Sequence, residues 1–365
     1  MKSVSIALLV GAMAVALSAC GGGGGGGGST SSAAVTSFTA TCADGTTKTS
    51  TTSQAAAAAA CPTGSAIVVS VPNPTYGSSE NLAAFNRLNT ERANCGFGLL
   101  AQNTLMDNAA AAHSAWQLAN NVQTHNETSG TAGFTGVLPS DRLTSSGYTQ
   151  NAAVVGGEVI GGQTGTPGPS GVTGFGDISV RTLLSAPYHE LGMLFPAINV
   201  GISVQFQTPT VPGNLFEVNT MEIATPSSSA GQQLGASDVL TYPCAGTTGV
   251  NFRLTNESPS PVPGRNLATN PTGPAIAVLV KQGQTLTITS ASMVNVATSA
   301  PVTLLAPVTA ANDPANTLYL FGNFLGYILP SAPLATNTQY QVTINGTNNG
   351  TAFTRSFTFT TGTGG

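Results

Sequence analysis

The chain holds three histidines in 365 residues: His113, His125 and His189. Glutamates stand close to them in sequence or in similar settings: Glu127 two places after His125, Glu158 in "GGEVIGG", and Glu190 directly after His189 in the apolar run "LLSAPYHELGML". Imidazole and carboxylate are the partners of general acid and base work, and they are also the ligands that a divalent transition metal such as zinc takes. Lys, Arg, Asp and Glu make up only 7% of the residues, against an ordinary share of about 25%. Each of these groups is costly to bury alone, so each is expected to be exposed, paired or liganding. The residues to weigh together are therefore His125, Glu127, Glu158 and His189, with a divalent metal such as zinc as the candidate ion. His113, three residues before Trp116, reads more simply as a satisfied core histidine, and Asp141-Arg142 as a loop salt bridge.

No ready-made catalytic signature accompanies them. "HELGM" begins like a zincin helix, but Met193 stands where the second histidine belongs. There is no strand-to-helix G-x-S-x-G elbow, no P-loop and no dinucleotide fingerprint, and Gly156, Gly157, Gly161 and Gly162 read as loop glycines. Ten Lys plus Arg, a net charge of −4 and no basic cluster remove the electrostatic term that drives nucleic-acid binding.

The elements that would position these residues begin at 78. Ser78 or Ser79 caps a helix carrying Leu82, Phe85 and Leu88, with Gly96 suited to its left-handed end. Spacings of three and four at Leu105, Ala109, Ala112, Trp116 and Ala119 predict a second helix over about 102–122. A short helix from Ile178 is expected to stop at Pro187, and 197–206 alternates as a strand. Beyond Pro243 only strands are expected, in 275–294 and in a hairpin over 339–361, as in an Ig-like sandwich.

The N-terminus reads as an export signal. Met1-Lys2, an apolar run from Ile6 to Leu17 and small residues follow the order of a secretory signal, too short for a membrane span. "LSAC", ending at Cys20, resembles a bacterial lipobox, which implies a lipid on Cys20 and a membrane as partner. Gly21 to Gly28 and the Ser/Thr/Ala stretch beyond form a flexible tether. Four cysteines remain in an exported chain, Cys42, Cys61, Cys95 and Cys244, an even number that reads as two disulfides. Three connectivities are open, with Cys42–Cys61 and Cys95–Cys244 the most economical. The expected organisation is signal peptide 1–19, tether 20–37, stapled segment 38–77, an α/β domain 78–238 and a β-sandwich 239–365.

One further reading comes from motif order. "LNTERANCGFGLLAQNTLMDNAAAAHSAWQLANN", then "THNE", "DRLTSSGY", "GGEVI" and "LLSAPYHELGMLFPAINVGISV" resemble, over about 78–206, the bacterial branch of the CAP superfamily, which includes cysteine-rich secretory proteins and plant pathogenesis-related proteins. The resemblance implies an α-β-α sandwich with two histidines and acidic residues in a central cleft. It places the cleft histidines at His125 and His189 and the "GEN"-type glutamate at Glu158. Val159 stands where the family usually has Asn, and Tyr188 where it has Gly. The second family acid has no clean match, with Glu127 and Glu190 as substitutes. The first expectation is a lipid-anchored envelope protein, in the outer membrane and facing the periplasm or the exterior, that binds small amphiphiles or an extracellular protein partner without catalysis. The second is a zinc-assisted hydrolase using the same cleft, in which His125 and His189 hold the zinc and Glu158 or Glu127 activates water, and the third a structural or adhesive envelope protein.

Overall fold

The computed structural model describes residues 38–41, 47–50, 67–151, 157–166, 171–208 and 211–363. The expected signal, the lipid site Cys20, the tether, and Cys42 and Cys61 lie outside them. The protein is mixed α/β: β1 Phe38–Thr41, β2 Thr47–Ser50, α1 Ser79–Asn94, β3 Ala101–Gln102, α2 Thr104–Asn120, α3 Pro139–Ser145, β4 Gly157–Thr164, α4 Phe175–Leu183, α5 Pro187–Leu194, β5 Asn199–Phe206 and β6 Leu215–Ala224. There follow β7 Leu240–Tyr242, β8 Ile276–Leu279, β9 Leu286–Asn295, β10 Val308–Thr309, α6 Leu318–Phe321, β11 Leu325–Ile328, β12 Gln339–Asn348 and β13 Thr351–Thr360.

The first two long helices start and stop on local chemistry. The Ser78 hydroxyl accepts from the backbone N–H of Glu80 at 3.2 Å, and Asn103 caps α2 through the Leu105 N–H at 3.0 Å, so each satisfies donors that the helix itself cannot. Asn121, at φ 51°, ends α2 in the left-handed conformation.

Between them lies a sheet of order β3-β5-β6-β4, parallel between β3 and β5 and otherwise antiparallel. Helices cover both faces. Met106 and Ala109 of α2 pack with Ala224 on one side, while Val159, Met221 and Ile223 join Phe85, Leu88, Val180 and Leu191 of α1, α4 and α5 on the other. Burial on both faces explains why all ten residues of β6 are buried, a pattern without the alternation that marks a half-exposed strand. Gly201 of β5 is needed where it stands: a Cβ there would lie 2.1 Å from the Met106 carbonyl carbon, so only glycine lets α2 approach this closely.

Two expectations are corrected. Gly157, Gly161 and Gly162 lie inside β4 rather than in a loop. Pro187 does not end the helical stretch but opens α5, at the first helical position where its missing N–H costs nothing. His189 therefore rides on a helix of its own.

The residues after 239 form two antiparallel sheets, β10-β11-β8-β7 and β13-β12-β9. The apolar core runs without a break from Ala84 and Phe85 through Met193 and Val278 to Val342 and Phe359, and a Cys95–Cys244 disulfide ties the end of α1 to the loop after β7. The Ser185 carbonyl and hydroxyl, at the α4–α5 turn, accept from the Ala275 backbone N–H at 2.9 Å and the Asn251 amide at 3.3 Å. Among the described residues no helix is long and apolar enough to cross a membrane.

Candidate functional site

β4 and β6 place Glu158 directly opposite Glu222, on the side of the sheet that faces α2. His113 comes down from α2 with no exposure; one ring nitrogen, Nδ1, lies 3.0 Å from Glu127 Oε1, the other, Nε2, 2.9 Å from the Thr124 carbonyl, and its ring stacks on Trp116. It is thus the satisfied core histidine the sequence suggests.

His125, from the loop after α2, sets Nδ1 2.9 Å from Glu158 Oε1. The other Glu158 oxygen accepts from the Arg142 guanidinium at 2.5 Å. That guanidinium also donates to the His125 carbonyl at 3.0 Å and to the Gly136 carbonyl at 3.3 Å. Arg142 therefore does not pair with Asp141; it is buried, and Asp141 instead accepts the Leu138 N–H at 2.9 Å at the start of α3. Burial alone would raise the Glu158 carboxyl, but the His125 hydrogen bond, the charges of His113 and Arg142 and the bond to Glu222 outweigh it and hold it below the usual carboxylate range. Glu222 goes the other way: burial, then the Glu158 charge and the shared hydrogen bond, lift it well above that range. Two like charges this close oppose each other's ionisation, which drives the pair apart in opposite directions.

Glu127 does not reach His125. Its carboxylate accepts the Thr135 N–H at 2.6 Å and the Gly136 N–H at 3.3 Å, and so fastens the 133–138 loop to the His113 side of the network. That loop leaves Phe134, Val137 and Leu138 exposed at 37%, 43% and 47%.

His189, on α5, faces His125 with ring centroids 6.3 Å apart and planes 32° inclined. The His125 side chain is 43% exposed and that of His189 14%. The His189 Nδ1 lies 2.8 Å from Glu257 Oε1, close enough for an ion pair although the ring is turned out of hydrogen-bond alignment. Burial would lower the His189 pKa, but the charge of Glu257 and its contact raise it above the ordinary histidine value. Glu190, the other candidate for a second acid, points away into the core with no exposure and with both oxygens lacking a hydrogen-bond partner. Burial drives its pKa far up, the Ala277 backbone opposes this in part, and the Glu257 charge adds to it.

The structure thus brings His125, Glu158 and His189 close together, keeps Glu127 one layer behind, and adds Arg142, Glu222 and Glu257. Glu222 had a signal in the sequence, since a charge between Met221 and Ile223 in a chain this poor in charges needs a partner, whereas Arg142, next to Asp141 in "PSDRLTSSG", read as that residue's partner. Glu257, in the Ser/Pro-rich "NESPSP", had none. Neither Nε2, of His125 or of His189, has a partner among the described residues.

Zinc is the group to test against this geometry. Nδ1 held by a carboxylate is the arrangement that metal-binding histidines show. With Zn–N bonds of about 2.0 Å, however, two imidazoles on a tetrahedral ion have ring centroids roughly 5 Å apart, so the observed 6.3 Å is too wide. Among the described residues no group of three or more His, Cys, Asp and Glu could hold an ion. The side chains as they stand do not fit zinc. Compared with known proteins, the chain matches no family model and no curated sequence.

Proposed function

We propose that the protein is a lipid-anchored, exported protein of CAP type whose His125–His189 cleft binds a small amphiphile without chemical conversion, with residues from 239 onward forming an Ig-like sandwich. The observation that carries this reading is the matched pair of rings, 6.3 Å apart, each backed at Nδ1 by a buried carboxylate and each without a partner at Nε2 among the described residues. The exposed Phe134, Val137 and Leu138 add an apolar rim, since Glu127 N–H donates to the Val137 carbonyl at 3.0 Å and Arg142 bridges the same loop to His125. A polar head at the histidines and an apolar tail on the rim would use both features. Among the described residues neither cleft histidine hydrogen-bonds a serine, threonine or cysteine side chain, so the nucleophile–base pair that acyl transfer needs has no support here. The anchor on Cys20 and the envelope location rest on the lipobox-like sequence.

The test is a fluorescence titration of the full chain with N-phenyl-1-naphthylamine, a neutral amphiphile. Saturable binding, weakened at least fivefold by His125→Ala and by His189→Ala in folded variants, supports the reading. Binding that is absent, or indifferent to both substitutions, refutes it.

A further inference from the structure

Glu257 stands outside residues 78–206, the span that carries the motif order, yet it is the acid nearest to His189. Its carboxylate is fixed from two sides: Oε1 accepts the Ser258 N–H at 3.1 Å, and Oε2 accepts the Tyr188 N–H at 3.3 Å, one of the free donors of the first turn of α5. The same turn is gripped again by the C-terminal part of the chain, where the Tyr188 hydroxyl donates to Asp313 at 2.6 Å and lies 3.3 Å from the Tyr327 hydroxyl. The His189 Nδ1 is buried and has no other polar neighbour within hydrogen-bond reach. A nitrogen so placed against an acceptor is stabilised by carrying the proton, and which nitrogen does so is decided by the bond the ring makes on that side. A small rotation of the ring brings the N–H into line.

We propose that Glu257 is a positioning residue of the cleft: it fixes neutral His189 with the proton on Nδ1 and leaves Nε2 open, so that the region after 239 supplies one of the two anchors of the histidine pair. Glu158 does the same for His125 from within the α/β region, and the two Nε2 atoms are then alike. The inference rests on His125 and His189 forming one cleft, but its readout needs no ligand.

With three histidines in the chain, the imidazole nitrogens of the full-length, 15N-labelled protein can be assigned by single substitutions, and long-range 1H–15N spectra at a pH above the histidine titrations report the tautomer of each ring. His189 is expected as the Nδ1–H form, like His125. Glu257→Gln, whose amide oxygen still accepts, retains that form; Glu257→Ala inverts His189 to the Nε2–H form that free imidazole side chains favour, while His125 is unchanged. An Nε2–H His189 in the unsubstituted protein, or an unaltered His189 in folded Glu257→Ala, overturns the proposal. Should Glu257→Ala not fold, the spectrum of the unsubstituted protein decides alone. Loss of amphiphile binding as a property of the cleft, with the tautomers as expected, would remove the functional reading and leave the positioning role standing.

Discussion

Around His125 the anchoring groups lie close together in one sheet and its helices: Glu158 is held by Arg142 and Glu222, with His113 and Glu127 behind. Around His189 the anchor arrives from residue 257, its contact is out of line, and the oxygens of the neighbouring Glu190 are buried without a well-aligned hydrogen-bond partner. Both halves leave buried polar atoms short of partners, Arg142 Nε and Glu222 Oε1 in the first and His189 Nδ1 and the Glu190 oxygens in the second, at a cost in stability; the first, however, sets a buried guanidinium against two carboxylates, where the second has the one His189–Glu257 contact. The half held by fewer charged contacts is the half that can adjust. The comparison therefore assigns rigidity to His125 and adaptability to His189, and it can be broken at several points.

The largest effect is expected from Arg142→Met. It leaves the Glu127 and Glu158 carboxylates buried without their cation, which typically costs about 3–5 kcal/mol, and urea unfolding should show it. A change below ~1 kcal/mol would mean that water reaches this network and that the first half is not the rigid one. Next, Cys95→Ser with Cys244→Ser opens a link across a sequence separation of 149 residues; such closures contribute about 2–5 kcal/mol. Hydrogen exchange should then rise more in 185–195 than in 113–127, because the C-terminal region grips the former. Equal increases would erase the distinction between the halves.

How far the sequence could go is clear from these same residues. α1 and α2 were legible because Ser78, Gly96 and the three-and-four spacing are local signals, and His113 because Trp116 marks its face as inner. α5 was hidden because a proline reads equally as a stop or as a first helical residue. β6 was hidden because burial on both faces removes its alternation. The motif order singles out His125, Glu158 and His189, which span 64 residues of chain, but Glu257 depends on how a distant region docks, and no short-range pattern encodes that.

Smaller effects sharpen the second half. Tyr188→Phe removes the hydroxyl that donates to Asp313 and should destabilise by about 1.5–3 kcal/mol, since the bond is to a charged acceptor, with loosened exchange confined to α5. Glu190→Gln should act in the opposite direction. Because the folded-state pKa of Glu190 is raised, the native chain keeps a proton that the unfolded chain releases. Stability is therefore full below the ordinary glutamate pKa and declines as pH climbs toward the folded value. Denaturant titrations should find Glu190→Gln close to the unsubstituted protein at pH 4 and more stable by about 1 kcal/mol at pH 8. A loss at pH 8 would show that Glu190 has a partner, such as a bound water, and is not the weak point of this half.

The claim that His125 and His189 act as one site is tested most directly by a double-mutant cycle in N-phenyl-1-naphthylamine affinity, using His125→Ala, His189→Ala and the double variant of the full chain. The account predicts that each single substitution removes most of the binding and that the double removes little more, as for residues that hold one ligand together. Losses that simply add, or a double variant that binds like the unsubstituted protein, would contradict it.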